Sequence, residues 1–184
     1  MKNRLPFLLL AILWSFSMQA SAAIIEHTLH SLGGAQYRYD YTVRHQAGEA
    51  PILLLDIDFD PALYLESSLN IVSDPVLNAS WDQLIIGSQP GYPALFDVFA
   101  LGAGLDNGDV LTGLAVEFTW LGAGLPGAQA FTLLDPTSFD VIDSGFTRAA
   151  SSNVPEPGGI AFVVFLLLLF AAVMKYRYPG QTIR

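Results

Sequence analysis

The chain has no cysteine, and its eight basic residues are almost absent from its middle. The first absence excludes disulfides, a thiol nucleophile and cysteine-ligated zinc. The second excludes a phosphate-binding surface. All 17 acidic residues lie between Glu26 and Glu156, where the only bases are Arg38, Arg44 and Arg148, and 17 acids less three bases leaves −14, against −9 for the whole chain. Such a field repels nucleic acid, so no nucleic-acid partner is expected. A convincing 3.6-residue apolar period is missing between Ala23 and Ala150, which argues against helices there. No serine stands in a Gly-x-Ser-x-Gly context, and the glycine-rich pieces lack the lysine and helix start of a phosphate loop. His27 and His30 are three apart, on opposite faces of a strand, and His45 stands alone, so no zinc constellation forms.

Long apolar runs are present only at the two ends. Lys2 and Arg4 precede the run Leu5 to Phe16, and Ala20-Ser21-Ala22 offers small residues where a signal peptidase reads. Residues 1–22 therefore read as a secretory signal peptide, engaging Sec export and cut by signal peptidase before Ala23. At the other end, Gly158 to Met174 is 17 residues without a charge. As a helix this is about 26 Å long, near the lower limit for a ~30 Å hydrocarbon core. Eleven of these residues are Ile, Leu, Val or Phe, which favours insertion by about 3 to 6 kcal/mol before the glycines are discounted. Lys175 and Arg177 snorkel, and Tyr176 and Tyr178 suit the headgroup layer. Residues 158–174 are expected to span the inner membrane, with the basic tail 175–184 cytoplasmic and residues 23–150 exported.

Val154-Pro155-Glu156-Pro157, an apolar helix, and then Lys175 and Arg177 near the C-terminus resemble the PEP-CTERM sorting signal. That signal marks exported proteins of Gram-negative bacteria for exosortase, an inner-membrane cysteine protease-transpeptidase. The resemblance implies a transient anchor, with the Pro-Glu-Pro segment as recognition element. It also implies an association with exopolysaccharide and biofilm at the outer surface or in the matrix. The tail departs from the family's usual dense arginine cluster, having Lys175, Arg177 and a distant Arg184. Two prolines remove backbone donors and hold residues 154–157 extended, a form that a protease groove takes up.

The acidic middle reads as β-structure. Tyr37, Tyr39, Tyr41 and Val43 fall on one face of a strand over Gln36 to His45, with Arg38, Asp40 and Arg44 on the other. Further strands are expected over Ala23–Leu32, Ile52–Asp60, Ala94–Leu101 and Val110–Leu121. Short ones are expected over Phe131–Leu134, Phe139–Ile142 and Phe146–Arg148. Gly33-Gly34 and Asp106-Asn107-Gly108-Asp109 read as hairpin turns, Leu63–Val72 is ambiguous, and Pro75–Gly91 reads as turns anchored by Trp81 and Leu84 to Ile86. Strands at this spacing predict a mainly β fold, an antiparallel β-sandwich or jelly roll over residues 23–150, followed by a linker at residues 151–157. Residues 118–129, with Asp135-Pro136 and Ser144-Gly145-Phe146, resemble the C-terminal half of many PEP-CTERM ectodomains. Leu101-Gly-Ala-Gly-Leu105 recurs as Leu121-Gly-Ala-Gly-Leu125, marking two equivalent strand ends where glycine permits positive φ.

Asp56, Asp58 and Asp60 carry the sharpest chemical pattern. Strand alternation places all three carboxylates on one face, ~6–7 Å apart, where a calcium ion would relieve their repulsion. Against this stands a plain solvated strand face opposite Leu55, Ile57 and Phe59. Pro61 at the sixth position excludes an EF-hand. Trp81, Tyr92 and Trp120 raise sugar stacking, against the expectation that they fill the core, Trp120 above all. Three classes stay open: a structural or adhesive surface protein, a carbohydrate- or calcium-binding module, and a glycoside hydrolase whose carboxylate pair no pattern selects. No catalytic residue and no cofactor other than calcium is assigned.

Overall fold

The computed structural model describes residues 23–46 and 50–150. The segment read as a signal peptide, with Ala20 and Ala22, the segment from Val154 to Pro157, the apolar run and its tail lie outside the described residues. The chain divides into two units after Ala150, and every described residue belongs to the first. No helix among the described residues is long and apolar enough to cross a membrane.

Ten strands form the unit: β1 (Ala23–Gly33), β2 (Gln36–His45), β3 (Leu54–Phe59), β4 (Asn70–Ile71), β5 (Trp81–Ile86), β6 (Ala94–Ala100), β7 (Val110–Thr119), β8 (Ala130–Leu134), β9 (Val141–Phe146) and β10 (Arg148–Ala149). They make two five-stranded sheets, ordered β10-β1-β2-β7-β4 and β5-β6-β3-β8-β9. Every pairing is antiparallel except β1 with β10, which is parallel, a departure from the all-antiparallel expectation. The fold is a mainly β sandwich, because one hydrophobic core draws on the inward faces of both sheets.

Alternation sets those faces. Tyr39, Tyr41 and Val43 of β2 are buried, as are Leu114, Val116 and Phe118 of β7. Leu55, Ile57 and Phe59 of β3 meet them from the other sheet, with Phe96, Val98, Phe131 and Leu133. Aromatic rings fill much of the space. Tyr39 stacks on Phe118 at 5.0 Å, and Phe59 meets Tyr64 edge-on at 4.9 Å. Trp81 is buried in the core as expected.

Three local readings need correction. Trp81 to Ile86 is a full strand rather than a turn region; its half-exposed Leu84 and Ile86 hide the period-2 signal. The Asp106–Asp109 turn exists, with Asp109 N–H donating to Asp106 carbonyl at 2.9 Å. It joins β6 to β7 in different sheets, however, and is no hairpin. The ambiguous Leu63–Val72 stretch holds a 3-10 turn, Glu66–Ser68, and the two-residue β4.

Both Leu-Gly-Ala-Gly-Leu copies lie where the chain passes from one sheet to the other, after β6 and after β7. Their second glycines, Gly104 and Gly124, have φ of 81° and 75°. The echo is a shared crossover geometry that a side chain would strain.

Candidate functional site

β3 ends at Phe59, and Asp60 turns the chain. Its carbonyl accepts from Leu63 N–H at 2.9 Å and Tyr64 N–H at 2.8 Å, while its Oδ1 accepts from Ala62 N–H at 2.9 Å. This Asx-type turn, held by Pro61, sends Tyr64 inward against Phe59, Phe118 and Trp120. Opposite, the loop between β5 and β6 closes on itself. Tyr92 N–H donates to Gln89 carbonyl at 2.8 Å, and Gly91 takes φ 87°. The result thrusts Tyr92 into solvent, 74% exposed. Gly127 to Ala130, leading into β8, forms the third wall.

These walls enclose an open cleft of about 680 Å³, lined among others by Asp58, Asp60, Tyr64, Gln89, Tyr92, Trp120 and Gln129. Its size falls within the range of small-ligand sites. Burial raises the Asp58 carboxyl above the usual carboxylate value. Trp120 Nε1 is buried without a hydrogen-bond partner among the described residues. No base lines the cleft.

The floor is tied to the core by a buried polar chain. Tyr41 hydroxyl donates to Gln129 Oε1 at 2.5 Å, and Gln129 Nε2 donates to Asp58 carbonyl at 3.2 Å. Gln129 N–H donates to Thr147 Oγ1 at 2.9 Å, which shares a 2.8 Å hydrogen bond with His27 Nδ1. Tyr39 hydroxyl donates to Gly127 carbonyl at 2.6 Å. Burial lowers the His27 pKa, keeping the imidazole neutral in this chain. His30 lies on the other face, beside Asp40, as the spacing predicts.

The aspartate triplet is split. Asp56 and Asp58 share the outward face of β3, whereas Asp60 lies past the strand end with its carboxylate engaged in the turn. Only Asp58 and Asp60 reach the cleft. Asp56 instead faces Asp97 of the neighbouring β6. Burial, the hydrogen bond to Asp97 and its charge push Asp56 up to about 7, and burial also raises Asp97. The pair therefore holds a proton more tightly than free carboxyls do, and Asp56 Oδ1 is buried without a partner among the described residues. Among the described residues no group of three or more His, Cys, Asp or Glu is placed to hold a metal ion.

Sequence reasoning missed Asp97, Gln89 and Gln129. Asp97 carries a readable signal, since it interrupts the apolar strand Ala-Leu-Phe-Asp-Val-Phe-Ala and must face outward between Phe96 and Val98. Nothing in the sequence marks Gln129. Of the three aromatics considered for stacking, Tyr92 and Trp120 come together in the cleft and Trp81 does not.

No family model and no curated protein matches the chain. Among solved structures, a GH20 exo β-N-acetylglucosaminidase from Vibrio harveyi, in complex with N-acetylglucosamine, is similar with a TM-score of 0.37 and 12% identity. The match covers 71% of this chain and 18% of that one, so the chain spans less than a fifth of its length. A CaDoc0917–CaCohA2 complex at pH 5.5 is similar with a TM-score of 0.32 and 14% identity, over 68% of this chain and 99% of that one.

Proposed function

We propose that this protein is an exported, jelly-roll-like surface or matrix module that works by binding, and that its cleft holds a sugar ring of an extracellular polysaccharide. The observation that carries the reading is Tyr92, 74% exposed at the mouth of a cleft that also presents Trp120, two carboxylates and the Gln89 amide. Aromatic faces stack on pyranose rings, while carboxylates and amides accept and donate to hydroxyls. The export and sorting signals support delivery to the place where such a polymer lies.

The test is affinity electrophoresis of the full chain in detergent through gels holding soluble polysaccharides, followed by calorimetry. Tyr92→Ala is expected to weaken binding by roughly 3- to 10-fold, a stacking contact being worth about 0.5–1.5 kcal/mol. Its melting temperature should not change, because the side chain packs little against the core. Retention by no polysaccharide, or equal retention of wild type and variant, overturns the proposal.

A further inference from the structure

The two sheets present unlike faces to solvent. The first carries every arginine among the described residues, each paired: Arg44 and Arg148 with Glu26, and Arg38 with Asp40, at 2.8 to 3.1 Å. The second has no base. Its central outward row runs Leu84, Asp97, Asp56, Thr132, Ser144 across five strands. One neighbouring row holds Ile86, Leu95 and Asp58, the other Asp82, Phe99 and Leu54. Leu84 is 51% exposed, Ile86 41%, Phe99 38% and, at the β9 edge, Phe146 73%. Two facing carboxyls, with Asp58 and Asp82 in the rows beside them, thus share a partly apolar face that has no base.

We propose that this outer face of the second sheet docks a protein segment carrying an arginine or lysine among apolar side chains, with the cation over Asp56 and Asp97. Charge complementarity selects the occupant. A guanidinium has donors enough for both carboxyls, and the flanking aliphatic chains would cover Leu84, Ile86 and Phe99. A second copy docked through the same face would bring four carboxyls together with no base between them. A sugar ring would find Leu84 and Ile86 beside the carboxyls, with the exposed ring of Phe146 only at the β9 edge. Tyr92 takes no part in this face, so its substitution separates the two sites.

A random peptide library displayed on phage, panned on the full chain in detergent micelles, tests this. Recovered peptides are expected to carry arginine or lysine flanked by apolar residues. Their affinity should fall by roughly 30-fold or more in Asp97→Asn, as for loss of one partner of a desolvated charge pair. It should fall likewise in Leu84→Lys, which plants a competing cation on an exposed position, and stay unchanged in Tyr92→Ala. Enrichment of neutral or acidic peptides, binding indifferent to Asp97→Asn and Leu84→Lys, failure of any peptide to enrich, or self-association through this face would each overturn it.

Discussion

Asp97→Asn should stabilise the protein at pH 8 and leave it unchanged at pH 4. The two carboxyls face each other across β3 and β6, and Asp56 is pushed from the usual 3.8 to about 7. Its proton is therefore held more tightly in the folded chain than in the unfolded one. The stability that this contributes is fully present below about pH 4 and is lost as pH rises through about 7. At about 1.4 kcal/mol for each pH unit between those values, the ceiling is ~4 kcal/mol. Both side chains keep some contact with water, which screens the charges and leaves roughly 1–2 kcal/mol. An asparagine removes the like charge and offers an N–H to Asp56, but burial, the largest cause, remains.

The expected gain at pH 8 is about 1 kcal/mol, or roughly 3–5 °C in melting temperature for a domain of this size. Thermal melts of both proteins at pH 4, 6 and 8 check it. The difference between variant and wild type is the informative quantity, since other groups bend the wild-type curve the opposite way. Glu26 is held low by the Arg44 hydrogen bond, and burial lowers His27. Both therefore remove stability as pH falls, and both cancel in the difference. A variant destabilised equally at every pH would refute the argument, because the pair would then be a structural hydrogen bond and no electrostatic strain.

Three further outcomes are expected. Gly104→Ala should cost ~2–4 kcal/mol, because its Cβ would lie 2.5 Å from Ile52 carbonyl oxygen at φ 81°; Gly124→Ala, at φ 75° with nothing within 4 Å, should cost only ~1–2 kcal/mol in the same denaturant titration. Gln129→Leu leaves Tyr41 hydroxyl without its acceptor and should cost about 2–3 kcal/mol by the same measurement. Under the sorting proposal, intact mass of the protein from an exosortase-bearing host should fit a chain from near Ala23 to near Pro155, and finding residues 160–174 attached at the cell surface would sink that proposal.

Much of the architecture was legible wherever one face of a strand is wet. In β2 the tyrosines alternate with Arg38, Asp40 and Arg44, and in β3 the aspartates alternate with Leu55, Ile57 and Phe59, so face and extent both follow. β5 escaped because Leu84 and Ile86 stand on its exposed side, where the rule expects polar residues. The same departure marks the second sheet's outer face as unusual. Pairing was legible only where a turn reads as a hairpin, as at Gly33-Gly34 between β1 and β2. Alternation says that Asp56 and Asp97 each face outward, but only the β3–β6 register makes them neighbours. That register arises from the core packing of Ile57 against Phe96-bearing β6, contacts distant in the chain.

The cleft was hidden for a related reason, and that reason bears on how it works. Its residues come from three connections between strands, and no local pattern links Asp60, Tyr92 and Gln129. What joins them is the core. Gln129 is 3% exposed and bonded to Tyr41, to the Asp58 carbonyl and to Thr147, while Tyr64 is clasped by Phe59, Phe118 and Trp120. The floor therefore cannot shift without disturbing the packing between the sheets, and a ligand meets a preformed surface with little left to order. Tyr92 and Gln89 stand clear of that framework, on a turn closed by two backbone hydrogen bonds between them. Ordering cost and adaptability are thus concentrated in this one turn, and substitution of Tyr92 should change ligand dissociation while the rest of the cleft keeps its shape.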